Sequence, residues 1–111
     1  IAATCEFYER VLRCAVVTFG DNRTSLRCGD QKLNLHQSGV ELFPCAGQPT
    51  PGSADLCFIT DTAIDDLIDH LNNCGVAIEQ GPVERTGARG PIRSVYFRDP
   101  DQNLIELSNY L

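Results

Sequence analysis

No apolar run in this chain approaches the roughly 20 residues that a membrane-spanning helix needs, so a transmembrane segment is excluded. Positive charge is scarce: 9 Lys and Arg stand against 15 Asp and Glu, for a net charge of −6. A nucleic-acid partner calls for a basic face, so that class is excluded too. An acidic surface leaves an anionic small molecule open, because a pocket can be locally basic. The chain has no Ser/His/Asp triad, no phosphate-cradling P-loop and no dinucleotide fingerprint. It also lacks any CxxC pair. Cys5, Cys14, Cys28, Cys45, Cys57 and Cys74 stand singly, which removes zinc-ribbon and zinc-finger readings. Six cysteines in a short chain can mark a secreted disulfide scaffold. Here Cys57 sits inside the strand-like run LCFIT and Cys74 on the apolar face of a helix. Buried free thiols in a reducing cytosol suit this better, so all six are expected to be free and the location cytoplasmic.

What is present is an ordinary globular composition, 42% hydrophobic and 22% charged over 111 residues. That length supports one domain with a single modest core. Between Ala3 and Arg13, Phe7, Val11 and Leu12 form one helical stripe with Glu6, Glu9 and Arg10 opposite, which predicts a helix already under way at Ile1. CAVVTFG (14–20) predicts a strand. TSLRC (24–28) and KLNLHQ (32–37) predict a hairpin around Gly29-Asp30, with Leu33 and Leu35 on one face and Asn34 and His36 on the other. Residues 38–53, with Gly and Pro gathered between Pro44 and Gly52, read as a linker. ADLCFIT (54–60) is the next strand. The helix after it, capped by Asp61 or Thr62, buries Ile64, Leu67, Ile68, Leu71 and Cys74 and stops at Gly75, with His70 on its surface flank. VAIEQ (76–80) reads as a short strand, GPVERTGARGP (81–91) as a loop, and IRSVYF (92–97) and NLIELSNY (103–110) as a hairpin about Asp99-Pro100-Asp101.

The order α-β-β-β, linker, β-α-β-β-β places a complete βαβββ unit in the second half and the same unit without its opening strand in the first. GDQKLNLH (29–36) echoes DPDQNLIELS (99–108) at the same point of each half. The expected domain is therefore 1–111, with modules 1–37 and 54–111 joined by linker 38–53.

FYERVLR (7–13), SADLCFIT (53–60), GPVERTG (81–87) and, most specifically, YFRDPDQNLIEL (96–107) resemble the vicinal-oxygen-chelate superfamily, which includes glyoxalases, bleomycin-resistance proteins and dioxygenases. The match looks closest to the glyoxalase-domain-containing-protein-5 and bacterial virulence-protein branch. Arg13 stands where the family's helix usually ends in Gly. The resemblance implies an α+β fold of paired βαβββ modules, curled into a half-barrel sheet around a cleft. It also implies a divalent metal (Ni, Mn, Zn, Mg or Fe) bound to neighbouring oxygens of a small substrate, and the exposed sheet edges of such half-barrel modules predict a homodimer, with modules exchanged or not.

On that resemblance Glu106, which points opposite to Ile105 and Leu107, matches a C-terminal metal ligand. Asp55 stands where many members carry a His ligand, and reads equally as a carboxylate bonded to backbone near the linker. His36 is either a ligand and proton carrier or a hydrogen-bonded strand histidine. The metal set is thus Glu106, Asp55 and His36, with Glu106 and His36 catalytic. Tyr96, Ser94 and Asn34 face the cleft as substrate contacts. Arg85 and Arg89, in a loop over its mouth, are either an anion clamp or solvated side chains. The implied activity is a metal-dependent lyase or isomerase of glyoxalase I type. A thiol transferase of the fosfomycin-resistance type and a non-catalytic drug- or metabolite-binding module are the alternatives.

Overall fold

The computed structural model describes residues 1–111. It is mixed α+β, with two helices and two open sheets, as the sequence implies. Helix α1 spans Ala2–Leu12 and buries Phe7, Tyr8 and Val11, one stripe at helical spacing. It ends at Arg13, which takes the left-handed conformation (φ 59) in the position that favours glycine. Strands β1 (Ala15–Phe19), β2 (Arg23–Cys28) and β3 (Gln31–Leu35) follow as an antiparallel meander. No helix or strand lies between β3 and β4 (Asp55–Ile59). Helix α2 (Ile64–Asn73) carries Ile64, Leu67 and Leu71 inward. Strands β5 (Gln80–Gly87), β6 (Gly90–Arg98) and β7 (Leu104–Tyr110) complete a second sheet of order β4-β7-β6-β5, in which β4 runs parallel to β7.

Helix α2 packs on β6 and β7 of this second sheet, while α1 packs on β1 and β2 of the first and reaches the second through Phe7 and Phe97. Phe7, Tyr8 and Val11 from α1 and Ile64, Leu67 and Leu71 from α2 meet Val95, Phe97, Ile105 and Leu107, with Leu26 reaching in from the first sheet. The rings of Phe7 and Phe97 lie 6.2 Å apart, and Phe97 is fully buried. Truncating such a residue to alanine costs about 3–5 kcal/mol. Because the inward side chains of β6 and β7 alternate, everything between them points to the opposite face. The site lies there.

Four expectations need correction. Residues 76–79 are not a strand, and 81–91 is not a loop: β5 and β6 form a hairpin that turns at Ala88-Arg89. Strand β5 is an edge strand with no fully buried residue, and its half-buried positions are Gly81, Val83 and Gly87, so no apolar alternation betrays it. Its irregularity is a register shift between Gln80 and Val83. Gly81 is needed there, because a Cβ would fall 2.5 Å from the Ser94 carbonyl oxygen. Second, Cys14 and Cys28 are joined in a disulfide, while Cys5, Cys45, Cys57 and Cys74 are free. Ala15 pairs with Arg27, so these cysteines are the next facing pair beyond the β1–β2 ladder, with Cα atoms 4.6 Å apart. Third, His36 falls one residue past the end of β3. Fourth, His70 is half-buried rather than on the surface, its Nε2 2.8 Å from the carbonyl oxygen of Val11. No helix is long and apolar enough to cross a membrane.

Candidate functional site

The pleat assembles the site. On β4, Leu56 and Phe58 pack against the core, while Asp55, Cys57 and Ile59 point away from it. On β7, Ile105 and Leu107 are buried in the core, so Glu106 and Ser108 share the other face. On β6, Val95 and Phe97 turn inward, and Ser94 and Tyr96 turn outward with Glu106. Strand register then sets Cys57, Glu106 and Tyr96 in one row across three strands, with Ser94 facing Ser108 in the next.

Ser94 Oγ donates to Glu106 Oε2 at 2.5 Å, Ser108 Oγ lies 3.3 Å from the same oxygen, and the two hydroxyls are 2.7 Å apart. Both serines are completely buried. Cys57 Sγ is 3.5 Å from Ser108 Oγ. Burial raises the Cys57 thiol pKa; Ser108 works against that rise, and the charge of Glu106 adds to it. Burial also raises the Tyr96 phenol, with Glu106 adding to the shift and Arg85 opposing it. Cys57 and Tyr96 therefore stay neutral beside an acidic side chain. The guanidinium of Arg85 lies over the Tyr96 ring, 5.7 Å from its centre, so one cation flanks the row.

The sequence-predicted residues separate into two groups. Glu106, Tyr96, Ser94 and Arg85 come together. Asp55 shares their face but is exposed near its edge, at the register position of Leu104. Arg89 leaves the group: from the hairpin tip it lies over the Tyr110 ring, about 13 Å along β7 from Glu106 at ~3.3 Å per residue. Asn34 lies on β3 of the first sheet and His36 just past its end, where His36 Nδ1 accepts from the Leu42 amide at 3.3 Å. They line a hollow of about 470 Å³ between β3 and the start of β4. A second hollow, about 600 Å³, lies between Cys28-Gly29 and Ile59-Thr60, and Glu106 lines neither. Ser108 and Cys57 were not predicted. The signal was available, since Ser108 is two residues from Glu106 on one strand and period two puts them on one face.

A divalent metal on Glu106, Asp55 and His36 does not fit this arrangement. No group of three or more His, Cys, Asp or Glu side chains is placed to hold a metal ion. Glu106 Oε2 already accepts from hydroxyl groups, and the His36 nitrogen that accepts from Leu42 is committed to backbone.

Comparison with known proteins gives a consistent result. The family model described as Glyoxalase/Bleomycin resistance protein/Dioxygenase superfamily matches residues 1–107. The chain is 56% identical over 111 residues to Virulence protein STM3117 of Salmonella typhimurium, covering all of this chain and 77% of that protein. It is 54% identical over 107 residues to Glyoxalase domain-containing protein RDO1 of Mycosarcoma maydis, covering 96% of this chain and 60% of that protein. The crystal structure of the Salmonella protein superposes with a TM-score of 0.97 over the whole chain and 88% of that one. TnmS3, an antibiotic binding protein from Streptomyces sp. CB03234, superposes at TM-score 0.74 with 26% identity, over 99% of this chain and 86% of that one. Lactoylglutathione lyase from Agrobacterium tumefaciens, at 23% identity and TM-score 0.71, covers 97% of this chain and 84% of its own and shares the fold. This chain belongs to the glyoxalase/bleomycin resistance protein/dioxygenase superfamily.

Proposed function

We propose that the Glu106 face is a proton-transfer site for a small oxygen-bearing molecule, and that the protein is a lyase or isomerase of glyoxalase type. The observation that carries this is the Glu106 carboxylate, fixed from below by buried hydroxyls on an otherwise open face, with neutral Tyr96 and cationic Arg85 beside it. A carboxylate so placed takes a proton from a carbon next to a carbonyl and returns it to the neighbouring carbon. Tyr96 donates a hydrogen bond to the oxygen where negative charge grows, and Arg85 supplies positive charge nearby.

The test is turnover of the hemithioacetal of methylglyoxal and glutathione. Glu106→Gln keeps the shape and removes the base, so kcat falls by about 10²–10⁴-fold, the range for a lost general base, with an unchanged circular dichroism spectrum. Equal turnover by parent and variant would sink the assignment. Members of this superfamily often use divalent metals. Calorimetric titration with nickel, manganese and zinc, in parent and Glu106→Gln, measures whether this carboxylate contributes to one.

A second reading is a non-catalytic binding module. It is favoured by the TnmS3 likeness and by the lack of a gathered metal-ligand group. Binding of hemithioacetal analogues without turnover selects it. The protein acts as a homodimer in this proposal, because β1, β3, β4 and β5 are all free sheet edges and Val17, Phe19 and Ile59 are more than a third exposed. Light scattering at micromolar concentration reads twice the chain mass. A cytoplasmic location is also proposed, resting on four free thiols rather than six.

A further inference from the structure

We propose that Ser94 and Ser108 are the positioning residues of this face: they pin Oε2 of Glu106 and leave Oε1 as the oxygen that meets a ligand. The inference rests on the reading of Glu106 as the working carboxylate, and goes beyond it by assigning the two oxygens different tasks.

Hydrogen counting carries the argument. Two hydroxyls hold two hydrogens, and three short contacts connect them with Glu106. The Ser94 hydrogen is spent on Glu106 Oε2 at 2.5 Å. The Ser108 hydrogen then has three acceptors in reach, Ser94 Oγ at 2.7 Å, Oε2 at 3.3 Å and the Cys57 sulfur at 3.5 Å. The two shorter routes both run toward Oε2, and the Cys57 sulfur is the longest of the three contacts. The chain of donors has one direction and one end, and the end must be an acceptor. A carboxylate satisfies it; a proton resting on Oε2 would oppose the Ser94 hydrogen. A proton taken from a ligand therefore lands on Oε1.

Burial makes the arrangement stiff. Ser94 and Ser108 are both 0% exposed, and neither hydroxyl reaches solvent for a substitute partner. Their positions are set by β6 and β7, where they face one another across the ladder, not by a loop. Two polar side chains in a layer that could hold alanine have no packing role that a methyl group would not fill. Their hydroxyls serve the carboxylate above them.

The experiment compares parent, Ser94→Ala, Ser108→Ala and Ser108→Thr. Side-chain scalar couplings of Glu106, measured by NMR on the intact protein, report its rotamers without reference to activity. The parent shows one rotamer. Ser94→Ala shows averaging over at least two, and Ser108→Thr, which keeps the hydroxyl, stays close to the parent. On the hemithioacetal, Ser94→Ala lowers kcat by about 10- to 100-fold, the range for groups that orient a functional side chain, with little change in KM. Should Ser94→Ala fail to fold, Ser108→Ala gives the same reading of the couplings. A single parent-like rotamer in a folded alanine variant overturns the proposal. Failure of the lyase reading is seen separately, as parent-like turnover in Glu106→Gln, while the couplings still decide what holds the carboxylate.

Discussion

The hydroxyl of Tyr8, on α1, donates a 2.7 Å hydrogen bond to Asp99 Oδ2, 91 residues later in the turn between β6 and β7. Asp99 is 3% exposed and also accepts from the amides of Asp101 and Asn103 and from Asn103 Nδ2, each at 2.9 Å. One carboxylate thus closes the β6–β7 turn and ties the first helix to it.

Tyr8→Phe removes one donor from this buried carboxylate. The expected loss is about 1.5–3 kcal/mol, the range for a hydrogen bond to a charged group. Denaturant unfolding monitored by circular dichroism measures it.

The same residue sets an alkaline limit. Burial, reinforced by the hydrogen bond and charge of Asp99, raises the Tyr8 pKa above its ordinary value. The folded state therefore holds the proton more tightly than the unfolded chain. The contribution is complete below the ordinary tyrosine value of about 10 and is lost progressively as pH rises beyond it. Unfolding free energy of the parent should fall from about pH 10 upward, and Tyr8→Phe should flatten that limb. An identical slope in both proteins would contradict the assignment.

Arg13 holds a left-handed backbone conformation at the end of α1. For a residue with a Cβ this costs roughly 1–2 kcal/mol. Glycine removes that strain but adds ~0.4–1 kcal/mol of unfolded-state freedom. Arg13→Gly should therefore raise stability by up to about 1.6 kcal/mol, seen as a higher denaturant midpoint.

Cys57 offers a chemical readout of the site. Its thiol is pushed up by burial and by Glu106, while Ser108 pulls the other way. Cys45 and Cys57 are both exposed, so the raised Cys57 thiol rather than access should make Cys45 the first of the two to be alkylated by iodoacetamide at pH 8. Glu106→Gln should speed alkylation of Cys57 by up to about fivefold, from the ~1 kcal/mol that two charges 4 Å apart exchange in water. Ser108→Ala should slow it. Mass spectrometry of the peptide containing residue 57 gives both rates.

The Cys14–Cys28 bridge closes a loop of sequence separation 14. A loop of about 15 residues is stabilised by about 3 kcal/mol through the restricted unfolded chain. Titration of denatured, unreduced protein should find four thiols, and six after reduction. Cys14→Ser should lower stability by that amount.

Much of the fold was legible because it follows from local periodicity. The α2 stripe of Ile64, Leu67 and Leu71 and the alternation of Val95, Phe97, Ile105 and Leu107 are readable without any knowledge of partners. The same alternation already turned Glu106, Tyr96 and Ser94 onto one face. Strand β5 was missed for the opposite reason: its half-buried face carries two glycines and a single valine, so it has no apolar rhythm, and Gly81, Pro82 and Gly87 imitate a loop.

The sequence by itself determined the fold class and which side chains leave the core, since strand and helix periods act within a few residues. Which of those side chains meet was decided by the tertiary structure. Sheet register set Cys57 beside Glu106 and Ser94 against Ser108, and strand order put β7 between β4 and β6. The same structure set His36 beyond the end of β3, away from Glu106, and closed Cys14 onto Cys28. Register is a contact between segments distant along the chain. It is fixed by the shared core those segments bury, and that energy has no local trace in any one of them.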